Sequence, residues 1–339
     1  MLLVMRICSH HDGFVSNAQV PQSGPKNLHT IIGAGQVGQR LARELLGLGF
    51  RVRLVRRSAP GPSAPGLSWL QGDVLDPAFM DRACRGAQVV YNTANPTEYH
   101  RWEALLPPLA RAVREAAARA GARLVILDNL YMYGHTDAGV MRESTPMRPR
   151  NVMGELRKRL AEEAFEAHAR GELRVTSGRA SDYYGPGTVN AAVFLPRTMQ
   201  RLAAGKAVEV IGNPDTRHSY SYLPDVARAL AVLGTHPEAD GRAWHLPTSW
   251  HGTTRELLSR FADHHGQSLK LRRIPRWVLQ AAGFVMPLMR AVVSMNYQWD
   301  EDFILDDSEF RSTFAFVPTP VDEAVRETAA SIPTPAVAA

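Results

Sequence analysis

Six residues, Gly33-Ala34-Gly35-Gln36-Val37-Gly38, constrain the fold of this 339-residue chain more than any other stretch. A GxGxxG alone is a weak signal, and its context makes it strong. An apolar strand carrying Ile31 and Ile32 enters it, and a helical pattern with Val37, Leu41, Leu45 and Leu48 on one face leaves it. That is a strand, a tight turn and a helix, the arrangement that binds a dinucleotide pyrophosphate. In this reading Gly33 permits the turn, Gly35 lets the pyrophosphate approach the backbone, and Gly38 lets helix and strand pack closely. The helix N-terminus, opening with Gln36 and Val37, then faces the phosphates. The bland alternative is a glycine-rich turn that binds nothing.

Downstream, short β-like runs alternate with amphipathic stretches, which predicts an α/β fold: a Rossmann-type doubly wound parallel sheet with a smaller C-terminal substrate-binding region. The runs are FRVRLV, LSWLQGD, AQVVYNTA, RLVILDN and LRVTSGRA. Helices are expected at about Gln36 to Leu48, Gly154 to Ala169, Ala191 to Ala204 and Pro224 to Leu233. The helical region from Trp102 to Ala120 is expected to be broken by Pro107 and Pro108. Ser58 to Gly66, rich in Pro and Gly, reads as a loop. The predicted organisation is a disordered extension over 1–27, a dinucleotide-binding domain over 28–180, and a mainly substrate-binding region over 181–330. The last region returns strands to the sheet, and 331–339 forms a flexible tail.

Composition narrows the partners. The formal charge of +6 is spread along the chain, so nucleic acid is not implied. Cys8 and Cys84 are too few for a disulfide framework, which fits a reducing cytoplasm. His10, His11 and Asp12 interrupt the opening MLLVM too early for a signal peptide. No histidine pattern has metal-ligand spacing, so no metal is expected. Trp277 to Met295 is apolar, but Gln280, Pro287 and Arg290 make it a poor membrane span. Ordinary core packing is the first reading of that stretch. A greasy substrate pocket or a membrane surface is the other, with Arg273, Arg276 and Arg290 at the polar edge.

The strand after the glycine motif ends at Arg56-Arg57, where an NAD-specific site places an acidic residue for the ribose 2′-OH. Guanidinium groups suit a 2′-phosphate, so NADP is the favoured cofactor and NAD use stays open. Asp73, followed by Val74, could accept a hydrogen bond from adenine or cap the next helix. Thr93-Ala94-Asn95 ends the fourth strand, leaving room for the nicotinamide half.

With these residues in view, the chain from about Thr30 to Thr328 resembles the extended short-chain dehydrogenase/reductase superfamily, the group of NAD-dependent epimerases and dehydratases. The resemblance rests on Gly33 to Gly38, on Tyr133-Gly134 with Glu143-Ser144-Thr145-Pro146, on Gly178-Arg179 with Tyr184-Gly185-Pro186-Gly187, and on Ser221-Tyr222-Leu223-Pro224-Asp225-Val226-Ala227. It implies a catalytic YxxxK on the helix after the fifth strand and a serine on that strand. Here neither Arg157 nor Lys158 has a tyrosine four residues earlier, and the serine position falls at Asn129. The member is therefore atypical.

Substitutes follow from period-two alternation, which puts Asn129, Tyr131 and Tyr133 on one side of a strand near its ligand-binding end. Tyr131 is the candidate proton donor, Asn129 a hydrogen-bond donor to the substrate oxygen, and Lys158 a ribose contact; Tyr133 reads first as packing. Asp182, with Tyr183 and Tyr184, follows the sixth strand, and Asp182 or His218 could act as acid or base. The chemistry expected is an NAD(P)H-dependent oxidoreductase of a small, hydrophobic ketone or secondary alcohol. That would suit natural-product reductases of the aurachin B dehydrogenase kind. A nucleotide-sugar epimerase or dehydratase and a non-catalytic NADP-binding sensor are the alternatives. Nothing in the sequence sets the oligomeric state.

Overall fold

The computed structural model describes residues 27–134, 136 and 139–332, so the expected N-terminal extension before Asn27 and the tail after Ile332 lie outside the described residues. Five strands, β1 (Leu28–Ile32), β2 (Arg51–Arg56), β3 (Leu67–Gln71), β4 (Val89–Asn92) and β5 (Arg123–Asp128), join Val175–Arg179 and Ala243–His245 in one parallel sheet. The order across the sheet is β3, β2, β1, β4, β5, Val175–Arg179, Ala243–His245. β1 therefore lies where the order reverses, the crevice in which open α/β sheets take ligands. Register carries this to the atoms: Ile32 sits opposite Val55 on one side and Asn92 on the other. The turn after β1 thus opens level with the end of β4.

Four helices follow in the first half: α1 (Gln36–Gly47), α2 (Pro77–Cys84), α3 (Trp102–Arg119) and α4 (Val152–Ala169). β1 is buried along its whole length, its two polar members satisfied inside: His29 Nδ1 lies 3.0 Å from the Tyr91 hydroxyl and Thr30 Oγ1 donates to Ala83 O at 3.1 Å. On one face Ile31, Val52 and Leu54 pack with Leu41 and Leu45 of α1 and with Leu230 from the helix Leu223–Thr235. On the other, Ile32, Val55, Val90 and Leu124 pack with Phe79, Val113 and Ala164 from α2, α3 and α4. α1 stops at Gly47, leaving Leu48 exposed instead of on the buried face.

The expected break in α3 does not occur. The helix runs through Pro107 and Pro108, which remove amide donors only in its second turn, while burial of Trp102, Leu106, Val113, Ala116 and Ala117 holds it to the sheet. Asn151 starts α4, its side-chain oxygen accepting from Gly154 N at 3.0 Å.

Residues beyond Ala180 build a second core around Tyr184, Phe194, Tyr220, Tyr222 and Phe261. Short parallel pairs tie this region together: Asp182–Tyr184 with Tyr220–Tyr222, and Val208–Val210 with Leu271–Arg273. Ile304–Leu305 pairs likewise with Val140–Met141. The stretch Trp277 to Met295 departs from core packing. It forms a helical hairpin, Arg276–Val285 and Pro287–Met295, whose Trp277, Phe284 and Val285 are exposed.

Candidate cofactor and substrate site

The glycine turn is a cradle that side chains would fill. Gly33 has φ +107°, and a Cβ there would lie 2.6 Å from Ala94 N, so the β1 turn and the end of β4 touch through backbone alone. A Cβ on Gly38 would run into the Gly33 carbonyl oxygen, which is why α1 can start so close to β1. At Gly35 no protein atom comes within 4 Å of a built Cβ. Space is thus kept at the N-terminus of α1, whose first turn carries no acidic residue. Free amide donors, a favourable dipole and an open approach are what a pyrophosphate needs, so these residues fit a dinucleotide.

A strap crosses this cradle. Gln36 Oε1 accepts from Val189 N and Asn190 N at 2.9 Å, and its Nε2 donates to Asn190 O at 2.9 Å. Arg40 Nη2 donates to Pro186 O at 2.8 Å. The motif's variable Gln36 therefore fastens the loop from the C-terminal half over the N-terminus of α1.

At the end of β2, Arg56 Nε donates to Ser58 Oγ at 2.7 Å and the guanidinium sits 5.8 Å from the Trp69 ring centre. Arg57 is exposed beside it. Asp73 does not cap α2: Asp76 does, accepting from Ala78 N at 2.9 Å, whereas Asp73 accepts from Leu75 N within the exposed turn after β3. Val74 packs on the core below that turn.

Beyond β4, Thr93 Oγ1 donates to Gly33 O at 2.8 Å, closing the cradle from the side. Asn95 meets a residue to which the sequence reading gave no role. Arg157, buried on α4, donates from Nη2 to Asn95 Oδ1 at 2.6 Å, pairs with Asp128 at 3.2 Å and lies 4.5 Å over the Trp102 ring. Met153 and Arg157 stand one turn apart on α4, a methionine and an arginine at the four-residue spacing. Lys158, proposed from the sequence, is rotated off the side that holds Arg157 and half-exposed. The i, i+4, i+7 register of Arg157, Ala161 and Ala164 was the available signal.

Asn129, Tyr131 and Tyr133 do not share a strand face. β5 ends at Asp128, and the next residues form a turn closed by Tyr133 N donating to Leu130 O at 3.1 Å. The two tyrosines therefore separate. The Tyr133 hydroxyl accepts from Arg179 Nη1 and meets His245 Nε2, both at 2.6 Å, while His245 Nδ1 faces Asp306 O at 3.0 Å. This network is buried; it contains Tyr133 and Arg179 from two of the resemblance motifs, and Glu143 joins it by accepting from His245 N at 2.9 Å.

Tyr131 turns instead toward Trp102, their rings stacked at 6.2 Å, and Tyr99 stacks on Trp102 at 4.4 Å. Burial, then the neighbouring Tyr99 and Asp182, pushes the Tyr131 phenol well above its ordinary value. Asn129 Oδ1 accepts from Tyr131 N at 3.1 Å, leaving its NH₂ as the end able to donate. Asp182 and His218 come together: Oδ2 lies 3.0 Å from His218 Nε2 and accepts from Trp299 Nε1 at 3.1 Å. Tyr183, half-buried next to Asp182, is likewise raised by burial first and Tyr99 second.

Known proteins bear on the family and the fold. Residues 30–246 match the model of the NAD dependent epimerase/dehydratase family. The chain is 25% identical to a dTDP-6-deoxy-L-talose 4-dehydrogenase (NAD(P)(+)) of Kitasatospora kifunensis, over 75% of this chain and 84% of that one. It is 22% identical to a 2-alkyl-3-oxoalkanoate reductase of Shewanella oneidensis, over 76% and 70%. A further relative, an uncharacterized protein of Sinorhizobium fredii, is matched over only 61% of its length, at 25% identity and over 72% of this chain. Among solved structures, the UDP-glucose 4-epimerase of Thermus thermophilus in complex with NAD superposes with a TM-score of 0.73 at 18% identity, covering 90% of this chain and 98% of that one. The chain belongs to the NAD dependent epimerase/dehydratase family, as an oxidoreductase-type member of the extended short-chain dehydrogenase/reductase superfamily that keeps the glycine cradle and lacks YxxxK.

Proposed function

We propose that the protein is an NADPH-dependent reductase of a ketone that carries a hydrophobic portion. One observation carries the reading: beside the ends of β4 and β5, the edge open to substrate is walled by Tyr99, Trp102, Tyr131 and Met153, which pack as one apolar cluster. Such a wall suits hydrocarbon better than a row of sugar hydroxyls.

When bound, NADPH supplies the hydride. The cradle would hold its pyrophosphate, and Arg56 with Arg57 its 2′-phosphate. Tyr131 and Asn129 would hydrogen-bond the substrate oxygen, with Tyr131 giving the proton as an alkoxide develops. Burial raises its phenol above the ordinary value, so at neutral pH Tyr131 stands as the hydroxyl, the form that can donate. Arg157 would hold Asn95 and Asp128 in place, and Asp182 with His218 would form the far side of the site.

The 2-alkyl-3-oxoalkanoate reductase among the relatives supports a ketone with an alkyl chain, and the relatives' being dehydrogenases and reductases tells against a cofactor sensor. The dTDP-sugar dehydrogenase favours a second reading, a nucleotide-sugar oxidoreductase or epimerase. NADPH consumption with a long-chain 3-oxo acid, its short-chain analogue and a nucleotide 4-ketosugar separates them. The proposal expects the long-chain substrate to turn over fastest, with Tyr131→Phe lowering kcat on the order of 100-fold at unchanged NADPH affinity. Turnover of the ketosugar alone would replace it with the second reading.

A further inference from the structure

We propose that the hairpin Arg276–Val285 and Pro287–Met295 docks the protein on an anionic phospholipid surface. The observation is a stripe of apolar side chains turned outward. Trp277, Val278, Ala281, Phe284 and Val285 fall at i, i+1, i+4, i+7 and i+8, one face of a helix. That face is solvent-facing: Phe284 is 84% exposed, Val285 80% and Trp277 70%. Met286 and Leu288 continue the patch across the hairpin bend. The opposite side is occupied, because Leu279 and Gly283 are buried and Gly283 lets the Arg290 backbone approach to 3.4 Å of a built Cβ. A soluble surface gains nothing from such a stripe.

Charge selects the occupant. From Asp263 to Asp300 the chain carries Lys270, Arg272, Arg273, Arg276 and Arg290 and no carboxylate in between. Arg273 pairs with Asp300 at 3.1 Å and Arg272 stands 4.0 Å from Glu209; Arg290 Nε donates to Gly283 O at 3.4 Å. The hairpin itself carries Arg276 and Arg290 and no carboxylate, so the apolar stripe sits on a net positive element. In a two-fold pairing with a second copy, the stripe would bring these arginines against their own kind. Phospholipid headgroups bearing negative charge meet both features at once, the cations at the headgroups and the aromatic and aliphatic side chains among the acyl chains. Helices of 10 and 9 residues are far too short to span a bilayer. Docking is therefore in the plane of the surface.

The hairpin also adjoins the substrate edge. Asn151, which caps α4, donates from Nδ2 to Ser294 O at 2.9 Å, and the second helix of the hairpin packs on the turn Tyr99–Arg101. A membrane held at the hairpin lies beside the aromatic wall, where an apolar substrate would arrive. The docking itself does not depend on the identity of that substrate.

The test is sedimentation of the purified full chain with vesicles of phosphatidylcholine alone and of phosphatidylcholine with phosphatidylglycerol. Binding is expected to the mixed vesicles, at least tenfold weaker to the neutral ones, and reduced by added salt. Phe284→Glu with Val285→Glu should weaken it at least tenfold, while retained NADPH binding and circular dichroism show that these exposed positions leave the fold intact. Brominated lipid should quench a fluorescence component that Trp277→Phe removes. No sedimentation with either vesicle overturns the proposal, as does equal binding to both. A concentration-dependent dimer abolished by the double variant, without vesicle binding, overturns it in favour of a second copy.

Discussion

His218 and Asp182 face each other with Nε2 3.0 Å from Oδ2, and the second ring nitrogen of His218 meets the Gln298 carbonyl oxygen at 3.0 Å. Both nitrogens thus confront acceptors. Trp299 Nε1 donates to the same carboxylate oxygen, so three elements converge on Asp182. Asp182→Asn replaces an acceptor by a group that can present a donor to His218. It is expected to lower kcat/KM on the order of 100-fold if the pair handles a proton, and to cost about 1–3 kcal/mol of stability in urea unfolding. Unchanged turnover with the same loss of stability would assign the pair to structure alone.

Acid should destabilise the fold through two other histidines. His29 is buried against Tyr91, whose hydroxyl is 3.0 Å from Nδ1; burial, then the charge of Arg123, lowers its pKa to about 4. His245 is lowered to about 3 by burial first and Arg179 second. Unfolded, both titrate near 6.5. As pH falls below that value, the unfolded chain binds protons that the folded chain refuses, so stability is complete above about 6.5 and is lost through the window toward 4. Each unit of depression corresponds to about 1.4 kcal/mol, so His29 alone is worth about 3 kcal/mol by the acid end. Unfolding free energies measured across the window should fall, and His29→Gln should flatten the slope. A pH-independent midpoint would contradict the prediction.

Cofactor preference rests on Arg56 and Arg57, neither of which forms an ion pair among the described residues. Ser58 and the Trp69 ring hold the Arg56 guanidinium at the strand end before any ligand arrives. A charge-assisted hydrogen bond to a 2′-phosphate is worth about 1.5–3 kcal/mol, so Arg56→Ala should weaken NADPH about 10- to 100-fold and leave NADH unchanged. Calorimetric titration of both cofactors checks it. Equal losses for the two would place Arg56 outside the 2′ site.

The parts legible in the sequence were those whose pattern is set by burial on two faces. β1, β4 and β5 are rich in apolar residues such as Ile31, Ile32, Val89, Val90, Leu124 and Val125 because helices cover both sides of the sheet. Strands of two or three residues, such as Asp182–Tyr184 and Tyr220–Tyr222, carry no period of their own and exist through tertiary pairing. Tyr131 and Tyr133 misled because alternation was extended past Asp128 into a turn, where it no longer applies. Arg157 was hidden by its type: a buried cation reads as surface until Asp128, Asn95 and Trp102 are seen around it. The hairpin misled in the opposite sense, since composition alone cannot say which way an apolar stripe faces.

The glycine motif offers a test that separates folding from binding, because two of its residues are kept small for different reasons. At Gly38 the obstruction is the protein itself: a Cβ would collide with the Gly33 carbonyl oxygen and crowd Thr93 Oγ1 at 2.8 Å. Gly38→Ala must therefore push α1 from β1, costing about 1–3 kcal/mol as overpacking does, and cofactor binding falls along with the stability. At Gly35 no protein atom is near, and its backbone, φ −77° and ψ −165°, is open to any L residue. Gly35→Ala should accordingly leave the melting temperature unchanged. A methyl there stands only in the approach to the free amides of α1, so NADPH affinity should still drop on the order of tenfold or more, by loss of charge-assisted hydrogen bonds worth about 1.5–3 kcal/mol each. Thermal melts and fluorescence titration of the two variants, run side by side, give the contrast. Wild-type NADPH affinity in Gly35→Ala would mean that the dinucleotide does not lie against this turn.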